Sequence, residues 1–134
     1  MSLYDWLLFL HVAAAFSLVA GIAAYGVVIL GRAGDVARRA LAVPALAMWN
    51  AGGLGVLVLG IALAIEVDAY EVWDGWILAA IVLWFVASAA GGQLSREVRD
   101  EKAQLDLGAA RVRLAVMALA TALLLVDMIF KPGA

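Results

Sequence analysis

The chain contains a single histidine, His11, and it stands inside the apolar run LLFLHVAAAFSLVAGIAAYG. An imidazole can move a proton or ligate a metal near neutral pH. Ionisable groups are costly within a stretch long and apolar enough to cross a membrane, so such a position marks function until another reason is found. Asp127, in LLLVDMIFKPGA, is a second such group, and Glu66 stands at the end of another apolar run. A zinc site needs three or four N, S or O ligands, which a chain with one histidine and no cysteine does not offer. Haem iron asks for less. One axial imidazole suffices, with Met48, Met117 or Met128, an open position, or a second subunit's His11 opposite. Two axial histidines from the same chain are excluded by count.

At helical spacing His11 shares a stripe with Tyr4, Leu7, Ala14, Leu18, Gly21 and Tyr25. The small residues leave room beside the ring, so His11, Ala14, Gly21 and Tyr25 are expected to line a pocket for a cofactor. The plainer alternative is a neutral His11 hydrogen-bonded to a neighbouring helix, although such bonds average only about 0.6 kcal/mol in membranes. Asp127 precedes Lys131 by four residues, an acid-first pair in which a snorkelling lysine neutralises the carboxylate. If the first and fourth helices are neighbours, Asp127 could instead orient His11 through its second ring nitrogen, and Glu66 is the other candidate for that relay.

The elements that position these groups follow from composition. Hydrophobic residues make up 67% of the 134 and charged ones 15%. A water-soluble domain carries roughly 25% charge, so the lipid bilayer is the expected solvent. Spans of about 20 apolar residues occur at 3–30, 44–65, 72–92 and 113–130. Short polar connections join them, which predicts one all-α domain, an integral membrane four-helix up-and-down bundle. The opening MSLYDW lacks the basic region of a cleavable signal, so the first span is expected to be retained.

Eight of the nine basic residues fall in or beside the first and third connections: Arg32, Arg38, Arg39, Arg96, Arg99, Lys102, Arg111 and Arg113. Cytoplasmic loops retain Lys and Arg, so both termini and the acidic second connection (Glu66, Asp68, Glu71, Asp74) are expected to be extracytoplasmic. Tyr4, Trp6, Tyr70, Trp73 and Trp76 would form an outer aromatic belt, Trp49 would mark the inner side, and Trp84 falls at mid-span. Asp35 is expected to cap a short helix over Val36–Val43, Pro44 to open the second span, Asp106 to cap the fourth, and SREVRDEKAQ to prolong the third. Ala13, Ser17, Ala20 and Ala24 form one small-residue seam, and Gly52, Gly55, Leu59 and Ala62 another. Both suit close helix packing; room for a flat cofactor at Gly52, Gly53 and Gly55, or a homodimer contact, are the alternatives. Asn50 is expected to bond a neighbouring helix or a backbone carbonyl, with pore lining as the alternative.

The net charge of -2 and the lack of a basic tract with interleaved aromatics give no footing for nucleic acid. Phosphate-cradling loops, hydroxyl nucleophiles with a base at readable spacing, and zinc-protease helices are all missing from the sequence. The spans hold few polar residues and lack paired broken helices, so proton or ion conduction through His11, Asp127 and Glu66 is the weaker alternative.

The first span YDWLLFLHVAAAFSLVAG, with His11 ten residues before Gly21, and the ending LLLVDMIFKPGA resemble a bacterial family of four-helix integral membrane proteins. That family is related to the copper-resistance protein D domain and to HemJ-type protoporphyrinogen oxidases. The resemblance implies haem b on His11, a redox or haem-handling role, a multi-pass place in the bacterial plasma membrane, and a membrane redox partner. Lys131-Pro132 matches the C-terminal Lys-Pro of these proteins. The third span, VWDGWILAAIVLWFVASAAGG, has no counterpart of the lysine that HemJ-type enzymes use there, and no tryptophan follows His11 within AAAFSLVAG. Oxidase catalysis is therefore not expected. Copper transport lacks its methionine or histidine clusters, which leaves a haem-binding protein or a non-catalytic membrane subunit as the expectations.

Overall fold

The structure, a computed structural model, describes residues 1–32, 34–67, 71, 73–100, 102 and 104–132. Those residues build four helices and no strand: α1 (Leu3–Leu30), α2 (Asp35–Glu66), α3 (Gly75–Arg99) and α4 (Leu107–Phe130). Each is long and apolar enough to cross a membrane. The chain is thus an all-helical, multi-pass membrane protein. Asp68, Tyr70 and Val72, which figured in the expected acidic connection, aromatic belt and third span, lie outside the described residues.

Local chemistry sets the helix ends. Ser2 and Asp5 form a reciprocal capping box on α1, Ser2 N donating to Asp5 Oδ2 at 2.7 Å and Asp5 N to Ser2 Oγ at 3.2 Å. Asp106 caps α4 as expected, its Oδ1 accepting from the amides of Gly108 and Ala109 at 2.9 and 3.2 Å. The second span departs from expectation: 36–43 is not a separate helix but the start of a continuous α2, with Gly34 rather than Asp35 as N-cap and Pro44 inside. A helical proline orphans the carbonyl four residues earlier. Here Pro44 and Ala40 are both exposed, so no orphaned carbonyl is buried in the protein core. The third helix extends to Arg99, taking in the first half of SREVRDEKAQ, and the fourth begins six residues before Arg113.

The helices form a closed ring in chain order, α1 closest to α2 and α3 to α4, with α1–α4 and α2–α3 completing it. Glycine makes the α1–α2 approach possible. A Cβ on Gly52 would lie 2.4 Å from Leu18 N, and one on Gly21 would lie 2.7 Å from Trp49 N. Backbone therefore meets backbone, which in lipid supplies the contact that hydrophobic drive cannot. Ser17 Oγ adds a 3.0 Å bond to the Met48 carbonyl across the same seam. Between α2 and α3, mid-span Trp84 donates Nε1 to the Gly53 carbonyl at 2.7 Å. Trp49 is not an interfacial ring: it is buried in the core, and a Cβ on Gly91 would lie 2.6 Å from its indole nitrogen. Asn50, expected to bond a neighbouring helix, is exposed on α2.

One end of the ring gathers the eight basic residues and is here called the basic end; the other holds both chain termini. Two adjacent arginines near the start of α2 finish two different helices. Arg38, 8% exposed, donates Nε to the Val28 carbonyl near the end of α1 at 3.2 Å. Arg39 donates Nη1 to the Val98 and Asp100 carbonyls at the end of α3, at 3.0 and 2.6 Å. Late helical carbonyls lack intrahelical donors, so each guanidinium supplies what the helix cannot. Arg113 of α4 binds Gln93 Oε1 at 3.2 Å and pairs with Glu97, tying α4 to α3.

Candidate functional site

At the termini end the four helices part around a half-open cleft of about 590 Å³. His11, Gly60, Trp76, Trp84, Met128 and Lys131 supply its distinctive groups, and most of the remaining wall is aliphatic. A small apolar cluster of Ala64, Trp76 and Ile77 forms part of its side.

His11 is held by the register of the α1–α2 hairpin. That packing sets Leu18 against Gly52, Ala14 against Gly55 and His11 against Gly60. A Cβ on Gly60 would lie 3.1 Å from His11 Cε1, 3.6 Å from Nδ1 and 3.8 Å from Met128 Cε. The imidazole edge and the thioether methyl thus converge where α2 carries no side chain. Nδ1 is buried without a hydrogen-bond partner. The Val56 carbonyl lies close enough to influence the ring, but not in hydrogen-bond geometry. Nε2 is the ring nitrogen that is not fully buried, and it makes no hydrogen bond among the described residues.

The expected pocket stripe does not gather around one cavity. Of His11, Ala14, Gly21 and Tyr25, only His11 lines the cleft. Ala14 and Gly21 are consumed by the contact with α2, and Tyr25 lies at the basic end in a cavity of its own. The reason is helical drift: over four turns a fixed stripe leaves the cleft and meets the neighbouring backbone. Gly52 and Gly55 serve the same α1–α2 packing, and Gly53 meets Leu18 and Trp84.

Asp127 is buried on α4, yet it is not part of the cleft wall, and its Oδ2 has no hydrogen-bond partner. The expected pairing with Lys131 is not made. Lys131 ends α4 in a left-handed conformation (φ 43°) and places Nζ 5.5 Å above the Trp76 ring, at the cleft. Glu66 is exposed at the end of α2, so no relay joins it to His11. Of the three methionines weighed as second ligands, Met128 alone shares the cleft; Met117 is buried beside Gly91, and Met48 is exposed on α2. Tyr4 and Trp73 are exposed as an interfacial belt requires, whereas Trp76 is buried and forms cleft wall.

Gly60, Trp76 and Trp84 are the cleft residues that spacing rules passed over. Equal counting from the Gly31–Gly34 connection sets Leu54, not Gly60, opposite His11, so the Gly60 contact was not legible in the chain order. No group of three or more His, Asp or Glu side chains able to hold a metal ion occurs among the described residues. No family model, curated relative or solved structure matches the chain.

Proposed function

We propose that this membrane protein binds haem b in the cleft at its termini end, where His11 would hold the iron, in a redox or haem-handling role. The observation that carries the proposal is the imidazole itself: half-buried, without a hydrogen bond at either nitrogen among the described residues, and set in the wall of an apolar cleft of about 590 Å³. That volume lies in the range of small-molecule and cofactor sites, which are mostly apolar with a few placed polar groups. The residues present fit the group. His11 would hold the iron, the Met128 thioether converges on the same wall, and Lys131 would meet the acidic edge of the macrocycle near the surface. Haem, when bound, supplies one-electron chemistry. The chain's own part is to exclude water with Trp76, Trp84 and the aliphatic wall, and to seat the imidazole against Gly60.

A histidine retained only as an interhelical bridge would make its bond, and His11 makes none among the described residues. The basic end faces the cytoplasm in this proposal, by the retention of Arg and Lys on that side of a bacterial plasma membrane. Kinship with the copper-resistance protein D and HemJ-type group belongs to the same proposal. It rests on the short motifs around His11 and Lys131.

The test is an absorption spectrum. Protein purified from membranes of cells supplied with haem should show a Soret band that His11→Ala abolishes while the variant keeps its helical circular dichroism. A colourless preparation that also fails to take up added hemin would overturn the proposal.

A further inference from the structure

A second cavity, of about 240 Å³, opens at the basic end between α1, α2 and α3. Its wall is Tyr25 of α1, Arg39, Ala42, Val43 and Leu46 of α2, and Val98 and Arg99 of α3. Tyr25 is 0% exposed, and its hydroxyl is buried with no hydrogen-bond partner. Ser95 lies nearby, but its Oγ donates to the Gly91 carbonyl at 2.9 Å and is not in bonding geometry with the tyrosine. The Arg99 guanidinium is within electrostatic reach of Tyr25 and makes no hydrogen bond or ion pair among the described residues. Arg39 is fixed at the same cavity by its bonds to the Val98 and Asp100 carbonyls. Among the described residues, Asp35 pairs with Arg38, Glu97 pairs with Arg113 through Oε1 while its Oε2 is buried without a partner, and Asp100 Oδ1 accepts from the Lys102 amide.

From this arrangement we infer that the basic-end cavity binds a phosphate group, that of an anionic phospholipid in the adjoining leaflet. A buried hydroxyl donor and the Arg99 guanidinium, with the positive charge of Arg39 on the same cavity wall, match the oxygens of a phosphate ester, which Arg recognises through N–H bonds. The depth agrees. Tyr25 lies five residues before Leu30, about 8 Å from the end of α1, at headgroup level. The rest of the wall is aliphatic, and Val43 is 59% exposed on the flank of α2, so the cavity adjoins the lipid as well as the water. Basic pockets between membrane helices are a recognised form of lipid headgroup site. The ligand here is chemically distinct from any group in the His11 cleft, and its site lies at the opposite end of the bundle.

The experiment titrates the purified full chain in detergent micelles with phosphatidylglycerol or phosphatidylcholine and counts adducts by native mass spectrometry. Phosphatidylglycerol is expected to bind in preference. Arg99→Gln should weaken it about fivefold, the effect of one basic residue at a membrane surface. Tyr25→Phe keeps the ring in the core and removes only the donor, so it should lower phosphatidylglycerol binding while the thermal midpoint stays near that of the parent. Inorganic phosphate is the second probe. Stabilisation by phosphate that Arg99→Gln removes, without a preference among lipids, would keep the phosphate site and assign it a soluble ligand. Equal retention of both lipids with no effect of phosphate, or a lipid preference unchanged in both variants, would overturn the inference.

Discussion

At the basic end and through mid-span, α1 and α2 touch backbone to backbone across Gly21 and Gly52, and Arg38 and Arg39 bind the last carbonyls of two neighbouring helices. At the termini end the same helices part around about 590 Å³ of cleft, and the apolar cluster there consists of Ala64, Trp76 and Ile77 with Ile81 and Met128 against them. The large core, from Leu18 and Tyr25 to Met117 and Leu124, belongs to the closed part. Stability is thus concentrated where the chain is closed, which frees the other end to keep a half-buried imidazole beside open space. Arginine side chains do at one end what glycines do at mid-span: they let helices meet without stranding polar backbone.

The same substitution at two glycines breaks or sharpens that contrast. Gly52→Ala places a methyl 2.4 Å from Leu18 N and 2.7 Å from the Ala14 carbonyl, and backbone cannot step aside as a side chain can. Overpacking of this kind costs about 3 kcal/mol. Unfolding of the variant in mixed micelles should show a loss of that size, and a wild-type midpoint would refute the backbone contact. Trp84→Phe removes the bond to the Gly53 carbonyl at the border between the two regions. The expected loss in the same assay is smaller, about 0.6 kcal/mol, the mean for interhelical bonds in a membrane protein.

Gly60→Ala, at the open end, should cost least. Its methyl would lie 3.1 Å from His11 Cε1, the edge of a ring that can turn into the cleft. Stability should change by no more than about 0.5 kcal/mol, while a haem-loaded sample should show a shifted or weakened Soret band because the ligand has been re-aimed. A large loss of stability without a spectral change would mean that the two ends are packed alike.

Much of the fold was legible because lipid leaves few choices. Four apolar runs, the clustering of basic residues in two connections and the Asp106 cap all follow from single residues or short windows. Pro44 misled because a proline inside an apolar run reads as a boundary, whereas this one is exposed and the helix runs through it. His11 was legible as an isolated polar group in an apolar stretch. The pocket around it was not: the i, i+3, i+4 stripe grouped Ala14, Gly21 and Tyr25 with His11, but neighbouring helices divide those residues between a packing seam and two cavities. Tryptophan roles were equally hidden, since Trp73 is exposed and Trp76, three residues on, is buried under Lys131.

The sequence by itself determined that this chain is a membrane bundle of four helices with one imidazole, no thiol and charge gathered at one end, because those properties depend on composition and on order along the chain. Tertiary structure decided which faces meet. Only the packed bundle places Gly60 opposite His11, brings Met128 and Lys131 to the same cleft, and sets Arg39 and Arg99 in the wall of one cavity with Tyr25. These are contacts between residues far apart in the chain, fixed by helix register and by the few positions where glycine lets backbones touch.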